Sequence, residues 1–431
     1  MKYTVRRYWT QMRNANVVRL TSLIGCALLV CGMPNRAGAQ APAAPIGLFD
    51  GHQDIGTVLT AGTADFDSSK RSYTLSASGE NMWATADAFQ FVWKKVTGDM
   101  RLTADISFIG QGGDPHRKAV LIFRQTLDAD SAYADIAVHG VGLTSLQARD
   151  EKGAATHEVQ SSISGPRRVS IEKRGDSFYI WVAGEGEDLH FSGGSMRVPM
   201  EGSFYAGIGV CAHNKDAVEK AVFSNVRMEP LSTANRKDLT LFSTLETVTV
   251  QSTDARVALV SPKRIESPNW LKDADAIVFR SEGKAYRVPS AGGAPEEVKP
   301  PASEGTKDNR ELSPDGQYVY FNSDKSGSMQ VWRMLPDGSS QEKVTPEDFS
   351  NWYPHLSPDG RRMVILSCAK SVKGAPKDQD VILRILSLAD KRVTVLATLT
   401  GGQGTIDAPS WSPDGRRLAF VSYQLLPMGT K

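Results

Sequence analysis

The stretch Leu356-Ser357-Pro358-Asp359-Gly360 decides the fold, because the chain repeats it. Two close copies are Leu312-Ser313-Pro314-Asp315-Gly316 and Trp411-Ser412-Pro413-Asp414-Gly415, and a degenerate copy is Ser267-Pro268-Asn269-Trp270. The first serines of successive copies are 46, 44 and 55 residues apart, which brackets the roughly 40–45 residues of one propeller blade. The repeat predicts a β-propeller of about four blades over residues 244–431.

The composition of the repeat explains what it does. Proline presets φ, aspartate accepts a local backbone hydrogen bond and glycine adopts positive φ, so the chain reverses between two strands of one blade. Asp315, Asp359 and Asp414 are therefore interpreted as turn residues and not as catalytic carboxylates.

The end of the chain predicts how the last blade is completed. After the final copy there is room for one good strand, residues 417–423. Residues 247–250 and 256–260 precede the first blade and have strand composition, so we expect them to complete the last blade as a clasp that removes sheet edges. An open arc, a dimer that closes the ring and a truncated gene product are the alternatives.

The pattern of the first 39 residues predicts a secretory signal. They contain six basic residues, no acidic one and an apolar run from Leu20 to Val30 that is too short to span a bilayer. Ala37-Gly38-Ala39 has the small-x-small pattern of a cleavage site, which predicts a linker over residues 40–45. A twin-arginine signal at Arg6-Arg7, a lipoprotein signal at Cys31 and a start at Met12 are alternatives.

Cleavage changes the charge of the protein. The mature chain has 44 basic and 48 acidic residues, so the formal charge of +2 becomes −4. This charge argues against a nucleic-acid partner. We expect a periplasmic or secreted bacterial protein without a membrane span after cleavage.

Short alternating apolar runs between Gly, Asp, Asn and Pro predict an all-β protein. Residues 46–230 have many such runs and no repeat, which favours a jelly-roll sandwich, with a linker over residues 231–243. Cys211 and Cys368 fall in different domains, so we expect no disulfide framework, and Cys211 reads as a small buried hydrophobe.

Period-2 counting over three strands of the sandwich places polar side chains on one face. Neighbours on one face lie about 5 Å apart, so these groups form a patch suited to hydroxyl-rich or anionic ligands. Trp83 adds a flat surface for a sugar ring. The alternative is an ordinary solvated outer face. The candidate ligand-binding residues are Trp83, Lys118, Arg124, Tyr133, Asp135, His139, Gln147 and Arg149.

Other residue patterns are less specific. Phe89, Phe91 and Trp93 share parity and read as core. The seven histidines are scattered without a metal-binding spacing. We expect no cofactor; the alternative is calcium, for which Asp54 or Asp114 would supply oxygens in a sandwich of this type.

In the propeller, the candidates precede the repeated turns, where blade strands enter the channel mouth. They form a predicted rim for a protein partner: Asn269, Trp270, Arg310, Tyr353, His355 and Asp407.

Ser-Pro-Asp-Gly followed by an aromatic or aliphatic strand resembles the blades of TolB-like propellers, over residues 240–425. The sandwich resembles the concanavalin-A or laminin-G-like domains that some exported proteins join to such propellers. The residues that carry this second resemblance are Asn81-Met82-Trp83, Asp87-Ala88-Phe89, His116-Arg117-Lys118, His139-Gly140 and Cys211-Ala212-His213-Asn214.

TolB-like propellers usually have six blades, which places two missing blades between Val298 and Asn309. The resemblance implies a periplasmic binding or scaffolding protein that is not an enzyme, in which the sandwich recognises a glycan-like ligand and the propeller presents a rim to an envelope protein. A glycan- or peptide-hydrolysing enzyme and a degraded paralogue are the alternatives; Asp135 is the single carboxylate well placed for hydrolysis.

Overall fold

A computed structural model describes residues 45–110, 113–232, 236–272, 275–299, 310–408 and 410–427. These residues form strands and one 3-10 turn, Arg236–Asp238, which confirms the all-β prediction. The predicted signal lies outside the described residues. Residues 43–431 are one compact unit.

Fifteen of the first seventeen strands build a sandwich of two antiparallel sheets, and β4 and β5 form a separate hairpin. Among the described residues, one sheet has the order β1-β6-β16-β8-β9-β10-β11, and the other β14-β13-β12-β7-β17-β3-β2 with β15 beside β13. The strands are β1 Gly51–Ile55, β2 Thr63–Asp67, β3 Ser72–Ala77, β4 Met82–Trp83, β5 Ala86–Asp87, β6 Phe89–Thr97, β7 Met100–Ile109, β8 Lys118–Arg124, β9 Tyr133–His139, β10 Thr144–Arg149, β11 His157–Gln160, β12 Arg168–Arg174, β13 Ser177–Ala183, β14 His190–Phe191, β15 Met196–Arg197, β16 Ser203–Cys211 and β17 Glu219–Pro230.

The sandwich core lies between these two sheets. Leu121 and Ile136 from one sheet pack with Ile171 and Phe223 from the other. Because side chains alternate along a strand, the even-numbered positions of β8 point away from this core. They form a second buried cluster with Phe89 and other residues, under the hairpin of β4 and β5.

The remaining strands build four propeller blades. Blade 1 is β20–β23, blade 2 is β24–β27, blade 3 is β28–β31, and blade 4 joins β32 to β18 and β19. The strands are β18 Leu239–Thr249, β19 Ala255–Ser261, β20 Glu266–Trp270, β21 Ala276–Ser281, β22 Lys284–Pro289, β23 Glu296–Val298, β24 Glu311–Leu312, β25 Val319–Ser323, β26 Gln330–Met334, β27 Glu342–Lys343, β28 Ser350–Leu356, β29 Arg362–Cys368, β30 Gln379–Ser387, β31 Val393–Gly401 and β32 Arg417–Pro427.

The predicted clasp is present in blade 4. β18 pairs antiparallel with β32 from Leu239 opposite Pro427 to Thr249 opposite Arg417, and β19 pairs with β18. Trp411 adds a single bridge to Leu418 on the inner side. β18 begins at Leu239, inside residues 231–243, which the sequence analysis assigns to a linker. The clasp strand is therefore longer than the apolar run 247–250 from which it was predicted.

Apolar clusters join the blades in the spatial order 1-4-3-2. Phe279 of blade 1 packs with Val421 of blade 4, other side chains join blade 4 to blade 3, and Tyr320 of blade 2 packs with Ile365 of blade 3. Within the described residues, no such cluster joins blade 1 to blade 2. The sequence analysis places two missing blades between Val298 and Asn309. Residues 300–309 of this interval lie outside the described residues.

The repeated turns also connect neighbouring blades. In the blade 3 turn, Ser357 Oγ donates to Asp359 Oδ1 at 2.5 Å and accepts from the Arg362 amide at 3.0 Å. The Ser357 hydrogen bond is the main reason why the pKa of Asp359 is lowered. Gly415 has φ of 66°, and a Cβ on it would lie 3.5 Å from Pro358 Cδ, so successive turns pack on each other.

The sandwich and the propeller share one sheet. β11 pairs in parallel with β19, so the first sandwich sheet continues into blade 4. Arg256 donates to Gln160 Oε1 at 2.9 Å beside this pairing. Cys211 and Cys368, the described cysteines, are buried and unpaired, and burial raises the pKa of Cys211 to about 11.

Candidate functional site

The sandwich sheet brings the predicted polar side chains together on one face. Side-chain alternation places them opposite the apolar core, as the sequence predicts. In register, Lys118 lies opposite His139, Arg124 and Arg149 lie on either side of Tyr133, and Gln147 lies opposite Asp135.

The expectation that this face is open to solvent is wrong. Arg124, Tyr133, Asp135 and Arg149 are fully buried, and Lys118, His139 and Gln147 are nearly so. The β4–β5 hairpin covers them, held by Asp87 N donating to Ala129 O at 3.0 Å and Thr156 N donating to Ala84 O at 2.8 Å. Sequence periodicity predicts which side chains share one face of a strand. It does not predict whether a distant segment of the chain covers that face.

Asp87 clamps the hairpin onto the sheet. Its carboxylate accepts from Arg124 at 2.5 Å and from Arg149 at 2.8 and 2.9 Å. The Tyr133 ring lies between the two guanidiniums, 5.6 and 5.0 Å from them. Charge-assisted, bidentate bonds in a dry environment fix geometry strongly. Arg124, Tyr133 and Arg149 therefore hold the hairpin and do not offer free groups to a ligand.

Lys118 and Asp135 form the ionisable centre under the hairpin. Lys118 Nζ donates to Met82 O at 2.7 Å, to Asn81 Oδ1 at 3.1 Å and to Gln147 Oε1 at 3.2 Å. Burial lowers the pKa of Lys118 and raises that of Asp135 well above its usual range. Among the described residues, neither Asp135 oxygen has a hydrogen-bond partner, and an unpaired buried carboxylate is costly to ionise.

His139 is a neutral member of the same group. Burial, helped by Lys118, lowers the pKa of His139 to about 3. The Gln147 amide lies 3.3 Å from His139 Nε2, a contact that the neutral ring accepts. The ring therefore acts as an acceptor here and not as a cation.

Glu158 belongs to this site, although the sequence analysis missed it. It lies opposite Gln147 on β11, in one row with Asp135, and its Oε2 accepts from Gln147 Nε2 at 3.4 Å. Two strand spacings separate Asp135 and Glu158, about 10 Å between their Cα atoms. Extending the period-2 count by one strand would have found it.

Trp83 is the predicted ligand residue that keeps solvent contact, because it lies at the hairpin tip. It is half-buried, and Lys118 Nζ lies 5.3 Å from its ring centroid. Its carbonyl accepts from Arg149 at 3.3 Å, and the next residue, Ala84, has φ of 50°. The hairpin thus fixes the backbone beside an indole that is in partial contact with solvent.

Three histidines meet at one end of this face. The His116 ring lies 5.7 Å from that of His139 and 5.4 Å from that of His213, and Asp114 Oδ1 lies 3.1 Å from His213 Nδ1. Even so, the described residues contain no group of three or more His, Cys, Asp or Glu side chains arranged to hold a metal ion. Asp54, the other expected calcium ligand, accepts from the Gly62 amide at 3.0 and 3.2 Å.

Three of the predicted rim residues are structural. Trp270 is buried between blades 1 and 4, with the Arg417 guanidinium 4.6 Å from its ring. His355 links blade 3 to blade 2 and to the segment before β32, since Nδ1 lies 2.8 Å from Glu311 Oε2 and Nε2 donates to Ile406 O at 2.7 Å.

Tyr353 is the third, buried with φ of 52°. Burial raises its pKa, and the Asp407 carboxylate raises it further.

The other rim residues reach solvent. Asn269 and Arg310 are exposed, and Asp407 is half-buried. Asp407 accepts from the Gly404 amide at 2.8 and 2.9 Å, and burial raises its pKa. Nearby Arg264, which the sequence analysis missed, lies 2.9 Å from Asp378 and 4.2 Å from the Tyr423 ring centroid. The rim residues that reach solvent are thus polar, and the predicted aromatics Trp270 and Tyr353 are buried.

No helix among the described residues is long and apolar enough to cross a membrane. No known family model matches the chain. An uncharacterised protein of Agrobacterium fabrum is 43% identical over 120 residues, which are 28% of this chain and 41% of that protein. The chain thus spans less than half of this relative's length.

Solved structures with similar folds include two described as TolB. A putative TolB from Agrobacterium tumefaciens is 27% identical, with a TM-score of 0.37, and the match covers 43% of this chain and 99% of that one. TolB from Acinetobacter baumannii is 16% identical, with a TM-score of 0.25, and the match covers 60% of this chain and 79% of that one. Because both TM-scores lie below 0.5, the sandwich and the propeller blades are assigned from the sheets of this chain.

Proposed function

We propose that this chain is an exported binding and scaffolding protein of the bacterial envelope. Its sandwich binds a glycan-like ligand beside Trp83, and its propeller offers a polar surface to an envelope protein. The observation that carries the proposal is the half-buried Trp83, which the Asp87 clamp holds above a row of polar groups.

Trp83 supplies what a sugar-binding surface needs. A flat indole stacks on the apolar face of a sugar ring, while nearby polar groups bond to its hydroxyls. Asn81 and Glu158 are half-buried near the edge of the hairpin and can serve as those groups. The rigid clamp lowers the ordering cost of binding, since the platform is in place before the ligand arrives.

Export is supported by the pattern of the first 39 residues and by the formal charge of −4 that their removal leaves. The protein-binding surface is supported by exposed Asn269 and Arg310 near the inner strands of blades 1 and 2. Its test is binding of purified envelope lipoproteins to the mature protein and to an Asn269→Lys, Arg310→Glu variant. Equal binding by both proteins would remove these residues from the surface.

The ligand is tested by screening the mature protein, residues 40–431, on a glycan array and on peptidoglycan. Trp83→Ala should abolish retention at an unchanged melting temperature. Trp332→Ala is the matched control, because Trp332 is also half-buried with a lysine over its ring, Lys325 at 3.7 Å, but lies in blade 2. Retention by Trp83→Ala, or equal loss in both variants, would remove Trp83 as the platform. Absence of binding to every glycan and to peptidoglycan would favour a degraded paralogue.

One observation favours a hydrolytic enzyme as a second candidate. Asp135, whose pKa burial raises well above its usual range, and Glu158 share one face about 10 Å apart between Cα atoms. Glycosidases use a protonated and an ionised carboxyl about 5–10 Å apart. Asp135 is fully buried, so hydrolysis requires the hairpin to move. Product analysis on every retained glycan tests this candidate: turnover that Glu158→Gln abolishes would support it, and binding without products would exclude it.

A further inference from the structure

A cavity of about 700 Å³ lies between blades 3 and 4, outside both sites described above. Its walls come from the β18–β19 turn, the start of β29, the β30–β31 turn and the turn before β32. This volume is in the range of pockets for small organic ligands.

The lining is strongly basic. Arg362, Arg392 and Arg416 contribute to it, and none of the described lining residues is acidic. Thr249, Gln251 and Thr394 add hydroxyl and amide groups that bond to oxyanions. Three guanidiniums facing one space repel each other, so an anion between them relieves that repulsion as well as accepting their hydrogen bonds.

Asp359, Asp390 and Asp414 lie near the three arginines, but none of them is among the described residues that line the cavity. Asp414 Oδ1 accepts from Ser412 Oγ at 2.6 Å and from the Arg416 amide at 3.0 Å, inside its own turn. Asp390 lies 3.7 Å from Arg392 Nε, and both side chains are mostly exposed, so water screens this pair. The described lining thus contains three guanidiniums and no carboxylate.

One arginine is already positioned. Arg362 donates to Gly415 O at 2.9 Å, and its guanidinium lies 5.4 Å from the Trp411 ring centroid. Arg392 and Arg416 are exposed at the opening. The cavity thus combines an anchored guanidinium with two that are able to close on a ligand, and planar guanidiniums suit bidentate recognition of phosphate and carboxylate.

We propose that this inter-blade cavity binds a small ligand that carries two or more oxyanionic groups, either phosphate or carboxylate. This site is independent of the glycan platform and of the rim.

The test is calorimetric titration of the mature protein with pyrophosphate and, separately, with citrate at low salt. We expect Arg392→Gln and Arg416→Gln each to weaken binding about tenfold, the loss of one or two charge-assisted hydrogen bonds. Arg361→Gln is the matched control, since Arg361 is exposed next to the blade 3 turn but does not line the cavity. It should change affinity less than about twofold, as expected of a screened surface charge.

The titrations either assign the class of anion that the cavity binds or overturn the proposal. Binding of pyrophosphate alone assigns the phosphate class, and binding of citrate alone assigns the carboxylate class. Absence of binding by the parent protein overturns the proposal, as does an Arg361→Gln loss equal to that of Arg392→Gln. If Arg416→Gln fails to fold, the exposed Arg392 carries the test alone.

Discussion

Val159 of the sandwich and Ala255 of blade 4 are parallel partners in one sheet. Val159 also packs in the apolar cluster that joins blades 3 and 4. The sandwich thereby covers the outer edge of the blade that clasps the propeller, an edge that would otherwise expose unpaired backbone groups. The two halves are therefore expected to unfold together.

Gly194→Ala tests that junction. Gly194 has φ of 71°, and an added Cβ would lie 2.6 Å from Val159 Cγ1. Gly186→Ala is the matched control, because Gly186 has φ of 77° with nothing within 4 Å of its Cβ position. We expect the control to lose about 1–2 kcal/mol from its left-handed backbone, and Gly194→Ala to lose about 1–3 kcal/mol more from overpacking.

The measurement is denaturant unfolding followed separately in the two halves. Gly194→Ala should separate one transition into two, while Gly186→Ala keeps a single transition. Equal losses in the two variants would show that the contact with Val159 contributes nothing beyond backbone strain.

Asp87→Asn should release the hairpin. The variant leaves Arg124 and Arg149 buried without their carboxylate, and breaking a buried ion pair in this way costs about 3–5 kcal/mol. Asp128→Asn is the control, because its pair with Lys152 is largely exposed and typically contributes at most about 1 kcal/mol. Thermal melts and protease cleavage near residue 84 report the effect; a stable, uncut Asp87→Asn protein would contradict the clamp.

Glu246 should make stability fall as pH rises. It is buried at the junction, where Ser422 Oγ donates to Oε1 at 2.5 Å. Burial raises the pKa of Glu246 to about 7, although the Ser422 bond lowers it. The folded protein therefore retains this proton where the unfolded chain, with a pKa near 4.5, has lost it. The stabilisation is fully present below pH 4.5 and disappears as pH rises through 7.

Glu246→Gln isolates this contribution from other titrating groups. Between pH 5 and 8 the parent should lose about 2–3 kcal/mol more than the variant, from the pKa shift. Chemical denaturation at both pH values measures it. Parallel pH profiles for the two proteins would show that Glu246 ionises without cost in the folded state.

Leu245→Ala tests the clasp. Leu245 is fully buried in the cluster between blades 1 and 4, so truncation should cost about 2–5 kcal/mol. Leu425→Ala, on the paired strand β32 but 47% exposed, should cost under about 1 kcal/mol. Similar losses for both variants in urea unfolding would mean that the clasp does not stabilise the ring.

The structural features that depend on neighbouring residues could be predicted from the sequence alone. The three Ser-Pro-Asp-Gly turns and the two faces of β8, β9 and β10 follow from backbone preferences and from side-chain alternation, which depend on near neighbours only. The degenerate copy Ser267–Trp270 also marks a blade, but it lies in strand β20 and does not form a turn. The clasp was also predictable, because the last blade lacked strands and residues 247–260 had strand composition.

What covers each face was decided by the tertiary structure. Asp87 meets Arg149 across 62 residues of chain, and this contact turns an expected open patch into a buried layer with the half-buried Trp83 at the hairpin tip. Trp270 and His355 likewise pack between blades and do not line an open rim. The order 1-4-3-2 and the sheet shared through Val159 arise from pairing between distant segments. Sequence periodicity fixes the direction of a side chain relative to its own strand, whereas its access to solvent depends on which distant segment packs against it.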